Sequence, residues 1–238
     1  MEDKTDFRLG AEVHAHLKSL GLETIDPDQY SPEEAFAALV KGINRAYYYL
    51  GLDVENDPSI KDTPKRFAKM FVGELTKGLN YDFFPKCTAI PNGVSPEQYD
   101  IVGGQIENRG LGAVNEMVVI DKILAITLCE HHLQTISGYV HIGYVPGPKL
   151  LGLSKFARVV EFFAARPQVQ ERMTEQVFAA LSLILETNDV AVVMKASHNC
   201  MRARGVKQPA SETTTSKLGG RFMSNGSLRE EFLHAIAR

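Results

Sequence analysis

The sequence predicts an α+β fold in which an N-terminal helical region precedes an antiparallel sheet that carries helices on one face. Helix-start signals and apolar residues at helical spacing dominate residues 31–78. Apolar, β-rich runs begin near residue 116 and flank a pair of amphipathic helical segments. Helices therefore come first and strands follow, an order that is typical of α+β proteins rather than of alternating α/β proteins.

This order divides the chain into three parts. Residues 1–30 are expected to form an N-terminal extension, and residues 31–115 a helical region plus a loop insertion near 91–115. Residues 116–238 are expected to form an α+β catalytic domain, because they hold the densest clusters of Cys and His. Gly, Pro and polar residues are frequent in the insertion, as expected of a surface loop. The sequence assigns no role to the extension or to the insertion.

Composition narrows the possible functions. The 238 residues are 44% hydrophobic and 23% charged, which is typical of a soluble globular protein. The net charge of −3 provides no bulk attraction for nucleic acid or for an anionic membrane. No run approaches the roughly 18 apolar residues of a membrane span. We therefore expect a cytoplasmic protein that binds neither nucleic acid nor membrane, and an anionic substrate would need a local basic pocket.

Two start signals define the helices of the second part. Ser31 can cap a helix that Pro32 begins and that Gly51 stops. A Thr-Pro pair then begins a second helix over 63–77, with Gly78 as its expected terminator. Apolar residues at helical spacing predict one buried face on the first helix, formed by Phe36, Leu39, Val40, Ile43 and Tyr47.

Strand signals frame the rest of the chain. Residues 116–128 and 139–145 are expected to pair as antiparallel neighbours. Ser154 can cap the next helix, which Arg166-Pro167 ends. The remaining expected elements are a helix over 168–187, a strand over 190–197, a strand or hairpin from Thr213, and a helix over 228–236.

Charged residues stand at three places along these helices. Arg66 and Lys69 lie three apart, so both project from one helix face, which could simply be a solvated basic face. Lys155 and Arg158 lie in the first turns of their helix, where an anion could bind, although a solvated helix start explains them equally well. Glu171, near the start of the following helix, could simply complement the helix dipole.

The strongest chemical signal is the segment Cys129-Glu130-His131-His132, which directly follows an apolar run. A second segment, His198-Asn199-Cys200, follows another apolar run, and in an extended chain His198 and Cys200 would face the same side. Two thiolates and one imidazole form a set that selects zinc over hard cations. Three protein ligands, Cys129, His132 and Cys200, would leave a fourth position open, as in catalytic zinc sites.

The other two histidines of these segments, His131 and His198, stand beside proposed ligands and are placed to move protons at a metal-bound water. The alternative is that the cysteines are ordinary buried thiols and the histidines are core groups, since free Cys is among the most buried residue types. The third cysteine, Cys87, lacks such neighbours. An odd cysteine count also argues against a disulfide framework.

Four separated motifs, in this order, carry a resemblance to a known family. They are CEHH at 129–132, GLSKFAR at 152–158, RPQVQER at 166–172 and HNCMRARG at 198–205. The chain resembles the zinc-dependent GTP cyclohydrolase I family from about Ser31 to the C-terminus. Because four motifs occur in the family's order, the resemblance is specific.

The resemblance implies the tunnelling fold, in which subunit sheets join into a barrel-like ring, and a homodecamer of two pentamers with active sites between subunits. It also implies a reaction, the hydrolytic opening of the guanine imidazole ring of GTP. Formate leaves and 7,8-dihydroneopterin triphosphate forms, which is the first step of folate and pterin biosynthesis. The implied cofactor is Zn²⁺. The sequence identifies no regulatory protein and leaves allosteric control open.

Family membership would also assign roles in the reaction. Cys129, His132 and Cys200 would hold the metal, and zinc would make the attacking water a strong nucleophile. His198 would protonate the purine ring nitrogen. His131 would be the second acid–base group, near the ribose and the departing formyl unit. Each such proton transfer is typically worth about 10²–10⁴ in rate.

The remaining implied roles concern GTP itself. Glu171, helped by Gln170, would orient the guanine base, whose edge offers adjacent N–H donors to a carboxylate. Ser154 would contact the ribose or the adjacent phosphate. Five basic residues would hold the triphosphate: Arg66, Lys69, Lys155, Arg158 and Arg204. Their concentration would let a mildly acidic protein bind a strongly anionic nucleotide.

Two rival functions stay open at this point. The first is a sister enzyme of the same fold that acts on pterins or deazapurines, such as an aldolase, a synthase or a reductase. The five basic residues suited to a triphosphate argue against it. The second is a non-enzymatic zinc module or nucleotide-binding scaffold. A structural zinc site should be closed by four protein ligands, and His131 would then have to be the fourth.

Overall fold

The computed structural model describes residues 4–93, 99–102, 105–108 and 114–237. Within them, the α+β prediction is confirmed. The helices are α1 (Phe7–Ser19), α2 (Pro32–Tyr49), α3 (Thr63–Met70), α4 (Leu153–Ala164), α5 (Gln170–Leu185), α6 (Asn199–Arg202), α7 (Gly220–Ser224) and α8 (Gly226–Ala235). The strands are β1 (Ala89–Pro91), β2 (Tyr99–Val102), β3 (Gln105–Asn108), β4 (Val118–Cys129), β5 (Thr135–Tyr144), β6 (Lys149–Leu151), β7 (Pro167–Gln168), β8 (Val190–His198) and β9 (Thr213–Leu218).

Much of the predicted insertion, namely residues 94–98, 103–104 and 109–113, lies outside the described residues. On either side of residues 103–104, β2 and β3 pair as antiparallel strands. No helix in the described part of the chain is long and apolar enough to cross a membrane.

The start of α2 follows its sequence signals. Ser31 is the N-cap, and its side chain accepts a hydrogen bond from the backbone N–H of Glu34 at 3.4 Å. Pro32 is the first helical residue, and Gly51 follows the helix end with a φ of +75°. A left-handed residue just past the C-terminus is a common helix stop.

The predicted buried face of α2 is wrong for the single chain. The helix has no buried residue, and Phe36 is 36% exposed. The helix packs on α3 and on the turn that follows α3, away from the main core. Its apolar stripe therefore remains partly exposed, because periodicity indicates that a face is apolar but not which partner covers it.

The second predicted helix is shorter than expected. Its α-helical part ends at Met70, a π-helical turn continues to Leu75, and Asp62 rather than Thr63 is the N-cap. Gly78 does not end the helix. An added Cβ there would stand 2.1 Å from the backbone oxygen of Phe162. Its N–H donates to the backbone oxygen of Ala165 at 2.8 Å. Gly78 therefore allows close packing against the end of α4.

The main sheet has five strands in the order β7-β4-β5-β8-β9. The predicted pairing of the two long strands is confirmed, since β4 and β5 are antiparallel, with Thr127 opposite Ile136. Antiparallel β8 and β9 continue the sheet on the far side of β5. The short β7 pairs parallel with the end of β4 and places Gln168 beside Cys129. This end of the sheet carries the candidate site.

Helices pack on both faces of the sheet, and not on one face as the sequence analysis expected. The larger core lies under α1, α4 and α5 and includes Val13, Phe163 and Met173, all fully buried. On the other face, Phe222 and Phe232 of α7 and α8 cover Ala191 and Val193 of β8. The helix α1 thus belongs to the folded core, where Val13 and Leu17 are 0% exposed.

A buried ion pair joins the N-terminal segment to the residues before β7. Glu23 Oε2 accepts from Arg166 Nη1 and from the Tyr81 hydroxyl, each at 2.6 Å. The Arg166 guanidinium also lies 5.0 Å from the ring centre of Phe162. Burial alone would raise the pKa of Glu23, but the Arg166 charge and the hydrogen bonds from Tyr81 and the Ile25 N–H outweigh it and lower this pKa.

We expect Glu23→Gln to lower the free energy of unfolding by about 3–5 kcal/mol at pH 7, because it leaves the Arg166 charge buried without its partner. A carboxyl with a lowered folded-state pKa stabilises the fold above its unfolded value, and that stability is lost as pH falls through the folded value. The difference between the two proteins should therefore shrink below pH 4.5, the ordinary glutamate value. Urea denaturation followed by circular dichroism at several pH values measures it.

The control for this prediction is Glu161→Gln. Glu161 pairs with Lys77 at 3.0 Å, but its side chain is 66% exposed. Exposed pairs are worth about 0–1 kcal/mol. Equal losses from the two substitutions, or a Glu23 effect that persists unchanged at pH 3, would contradict the buried-pair account.

Candidate active site

The segment after β4 forms a tight turn that presents the first two proposed ligands. The backbone oxygen of Cys129 accepts from the N–H groups of His132 at 3.2 Å and Leu133 at 2.8 Å. The Cys129 N–H donates to the oxygen of Gln134 at 2.7 Å, which closes the turn. Leu133 has a φ of +52°, an uncommon conformation for leucine that persists where the surroundings impose it. Cys129 is buried, whereas His132 is exposed.

Cys200 reaches the site by a route that the sequence did not predict. The expectation that residues 198–200 are extended is wrong, because β8 ends at His198 and α6 begins at Asn199. Cys200 therefore lies in the short α6 helix, and its thiol is half-buried. The pairing of β5 with β8 keeps both Cys/His segments at the same end of the sheet.

The three proposed ligand atoms converge. The sulfurs of Cys129 and Cys200 and a ring nitrogen of His132 all lie within 4.8 Å of one another. Cys129 Sγ is 3.8 Å from His132 Nδ1. Zn–S and Zn–N bonds of about 2.3 and 2.0–2.1 Å at tetrahedral angles place such atoms about 3.6–3.8 Å apart. The three residues therefore fit a tetrahedral ion with small side-chain adjustments.

Electrostatics at the cluster also suit a cation. Burial raises the pKa of the Cys200 thiol, and the neighbouring Cys129 raises it further, while Arg204 acts in the opposite direction. Two adjacent thiols resist ionising together, because the second negative charge repels the first. A divalent cation between them would remove this penalty, and coordinated thiols are deprotonated.

A hydrogen bond to a buried side chain of the core holds the ring of His198. Its Nε2 lies 2.7 Å from Gln170 Oε1, and Gln170 is only 1% exposed. Burial lowers the pKa of His198, and the negative charge of Glu171 partly offsets this effect. His131 differs because it is exposed in the turn, with its ring centre 6.2 Å from that of His132.

Glu171 lies in the first turn of α5 and is exposed, at a position where its charge acts on His198. The next residue, Arg172, pairs with Glu130 of the ligand turn. This ion pair joins the start of α5 to the turn that holds Cys129 and His132. The sequence analysis did not identify it, although opposite charges in two of the four motifs were a signal.

The proposed anion-binding residues fall into three groups. At the cluster, Arg204 acts on Cys200. In the first turns of α4, Lys155 and Arg158 act instead on Cys87, which is not part of the cluster and whose pKa burial raises to about 11. Ser154 lies exposed in the first turn of α4 but is not the predicted cap, because Gly152 occupies the N-cap position. A glycine there leaves the cap without a side-chain hydrogen bond.

Arg66 and Lys69 form the third group, on the exposed surface of α3. Arg66 lies 3.4 Å from Asp62, one turn earlier on the same helix. Because α3 packs mainly on α2 and on the turn that follows it, these two residues belong to the projecting helical pair rather than to the end of the sheet. Within one chain, the structure does not bring them together with the metal cluster.

A buried network of amides supports the ligand turn. Gln176 donates to the backbone oxygen of Leu22 at 2.7 Å and accepts from Gln168 Nε2 at 2.9 Å. The Gln168 backbone oxygen accepts from the Glu130 N–H at 3.0 Å. The N-terminal segment is thus linked through α5 to the turn itself. Sequence reasoning missed these residues, since nothing local distinguishes a buried glutamine from an exposed one.

Comparison with known proteins identifies the chain's relatives. The family model for GTP cyclohydrolase I matches residues 40–237. GTP cyclohydrolase 1 of Shewanella sp. (strain W3-18-1) is 45% identical over 224 residues, which are 94% of this chain and 96% of that protein. The Vibrio vulnificus (strain YJ016) protein of that name is 44% identical over 225 residues, 94% of this chain and 95% of its own length. This extent of similarity places the chain in the GTP cyclohydrolase I family.

Proposed function

We propose that Cys129, His132 and Cys200 bind Zn²⁺ as three protein ligands, and that this site opens the guanine imidazole ring of GTP. The activity itself follows from the family: the protein is a GTP cyclohydrolase I, which converts GTP to dihydroneopterin triphosphate. Family membership also argues against the two rivals, a sister enzyme acting on other substrates and a structural zinc module. What we add is an assignment of roles to the residues of this chain.

The observation that carries the proposal is the convergence of three soft ligands from two separate segments to within 4.8 Å. Thiolate and imidazole ligands favour zinc, and a set of three matches catalytic rather than structural sites. When bound, zinc supplies the Lewis acidity that makes a water molecule nucleophilic at neutral pH. Carbon 8 of a purine is a poor electrophile, so the reaction needs this activation.

The histidines supply the proton transfers in this proposal. His198, held by Gln170, donates a proton to the purine ring nitrogen and thereby increases the electrophilicity of carbon 8. His131 is exposed in the ligand turn and serves as the second acid–base group as formate leaves. Their different environments suit different tasks, because the fixed ring serves one atom and the exposed ring can exchange protons with solvent.

The charged residues bind the rest of GTP. Glu171 accepts hydrogen bonds from the guanine edge at the exposed start of α5, with the adjacent Gln170 behind it. Ser154 contacts the ribose or the adjacent phosphate from the first turn of α4. The triphosphate is bound by basic residues from three segments, namely Lys155 and Arg158 of α4, Arg204 after α6, and Arg66 and Lys69 of α3.

We also propose a homodecamer of two pentamers with active sites between subunits. The partly exposed apolar stripe of α2 supports a partner on the helical pair. The sheet also has exposed apolar side chains, since Leu124 and Ile126 of β4 are 56% and 54% exposed. These side chains support a second subunit contact along the sheet. A second subunit would also explain how Arg66 and Lys69 reach a triphosphate.

The division of the chain at residues 30 and 115 and the cytoplasmic location are likewise proposals. All three metal ligands lie in the proposed catalytic domain, residues 116–238. Free thiols at Cys87, Cys129 and Cys200 support a reducing compartment.

Glu171→Ala should raise KM for GTP by about 10-fold or more, since losing hydrogen bonds to a charged group costs about 1.5–3 kcal/mol. Zinc content and subunit assembly should stay unchanged, because the side chain is exposed and outside the ligand set. Steady-state kinetics with metal analysis and size-exclusion chromatography measure all three. Glu175→Ala, one turn later on α5, is the control. Unchanged GTP kinetics in Glu171→Ala would mean that the base is bound elsewhere.

The proposed function is tested by incubating the purified, zinc-loaded protein with GTP. Formate should appear together with a pterin that becomes fluorescent after oxidation. Removal of zinc by a chelator should stop both, and added zinc should restore them. Full turnover by protein that contains no metal would contradict the proposed metal dependence.

A further inference from the structure

We propose that Gln170 is a positioning residue that fixes the ring orientation and tautomer of His198, rather than a residue that contacts the guanine base. This proposal rests on the proposed function in one respect, because it takes His198 to be an acid–base group. It goes further by naming the ring nitrogen that faces the reaction. The evidence is the hydrogen bonding of one buried amide.

The orientation of the Gln170 amide follows from its neighbours. Its Nε2 lies 3.2 Å from the backbone oxygen of Met194 and 3.0 Å from that of Thr213. Both are carbonyl oxygens, which only accept hydrogen bonds. The amide atom that faces them must therefore be the NH₂ group. A flipped amide would place two pairs of acceptors against each other in a buried site.

This orientation assigns the proton on His198. The carbonyl oxygen of Gln170 faces His198 Nε2 at 2.7 Å and can only accept, so Nε2 must carry a hydrogen. In the neutral ring, Nδ1 is then the atom without a hydrogen. No hydrogen bond to Nδ1 is found among the residues that the structure describes. Nδ1 is therefore the nitrogen free to take up the proton that His198 passes to the substrate.

The same network leaves Gln170 without a donor for the guanine base. Its two N–H groups already face three acceptors, the third being Thr215 Oγ1 at 3.2 Å. The Thr215 hydroxyl also contacts Thr174 Oγ1 at 2.7 Å, which ties the amide to both α5 and β9. With 1% exposure, Gln170 has no free edge for a ligand.

A double-mutant cycle tests the inference. Outer hydrogen-bond partners of metal-ligand histidines are typically worth about 10–100-fold in activity. We expect a loss of the same size in kcat for formate release from Gln170→Ala, because Gln170 orients His198 in the same way. The Kd for 7-deazaguanosine triphosphate, measured by calorimetry, should not change. In a His198→Ala background, Gln170→Ala should cause no further loss, because the ring that it positions is gone.

Three results would overturn the inference. One is an equal loss from Gln170→Ala with and without His198, which would show an independent or purely structural role. Another is a rise in Kd that matches the loss in kcat/KM, which would show that Gln170 contacts the guanine base. The third is near-normal kcat in Gln170→Ala. By contrast, near-normal turnover in His198→Ala alone would contradict the proposed function instead.

Two further measurements guard against a folding defect. Thr215→Val removes one of the three acceptors but keeps both carbonyls, so its kcat should stay close to that of the unsubstituted protein. The second is a crystal structure of the unsubstituted protein with 7-deazaguanosine triphosphate, which needs no variant at Gln170. It should keep Gln170 Oε1 on His198 Nε2, and a Gln170 amide that is turned onto the base would refute the inference.

Discussion

Cys200→Ala is expected to remove both the metal and the activity. Cys200 is one of only two sulfurs in the converged set, and the remaining cysteine and histidine would leave two solvent positions. Formate release should fall by more than the roughly 10²–10⁴-fold expected for losing one acid–base group. Atomic absorption on dialysed protein and a formate assay measure the two losses.

Cys87→Ala is the matched control for that experiment. Cys87 is also a half-buried free thiol, but it packs against the hydrophobic core rather than joining the ligand cluster. Its variant should keep zinc and turnover. Stoichiometric zinc in the Cys200 variant would show that the ligand set is wrong, whatever its activity.

His198→Ala should separate metal binding from proton transfer. The ring of His198 is held by Gln170 and is not in the ligand cluster, so zinc should remain stoichiometric. Formate release should fall by at least about 10²-fold, the lower bound for losing one acid–base group. Single-turnover formate release by zinc-loaded protein measures the effect on chemistry.

The control here is His234→Ala, which removes an exposed histidine of α8, on the opposite face of the sheet from the main core. It should leave the rate unchanged. If His198→Ala turned over GTP at a rate near that of the control, His198 would have no part in the reaction.

Sequence reasoning succeeded where the signal was local. The Ser31-Pro32 pair specified the start of α2, and the apolar runs before Cys129 and His198 gave the two strands that end at the site. A cap or an alternating strand depends on residues within a few positions, so one segment carries the whole signal. Both Cys/His segments follow those strands, and the antiparallel pairings bring them to one end of the sheet.

Features that depend on distant residues could not be predicted in the same way. The Glu23–Arg166 pair joins residues 143 positions apart, and the Gln170 network spans α5, β8 and β9. The α2 stripe was correctly identified as apolar, but the residues that the structure describes leave it partly exposed. Cys200 turned out to lie on α6 because the strand ends one residue before Asn199, and strand ends are the least certain part of a periodic pattern.

The central claim is that three protein ligands hold zinc and leave a fourth position to solvent. X-ray absorption spectroscopy of the zinc-loaded protein tests it most directly. The account predicts two sulfurs at about 2.3 Å, one imidazole nitrogen at about 2.0–2.1 Å and one oxygen from water. Two sulfurs with two imidazoles, or four ligands from the protein in any combination, would describe a closed structural site and contradict the account.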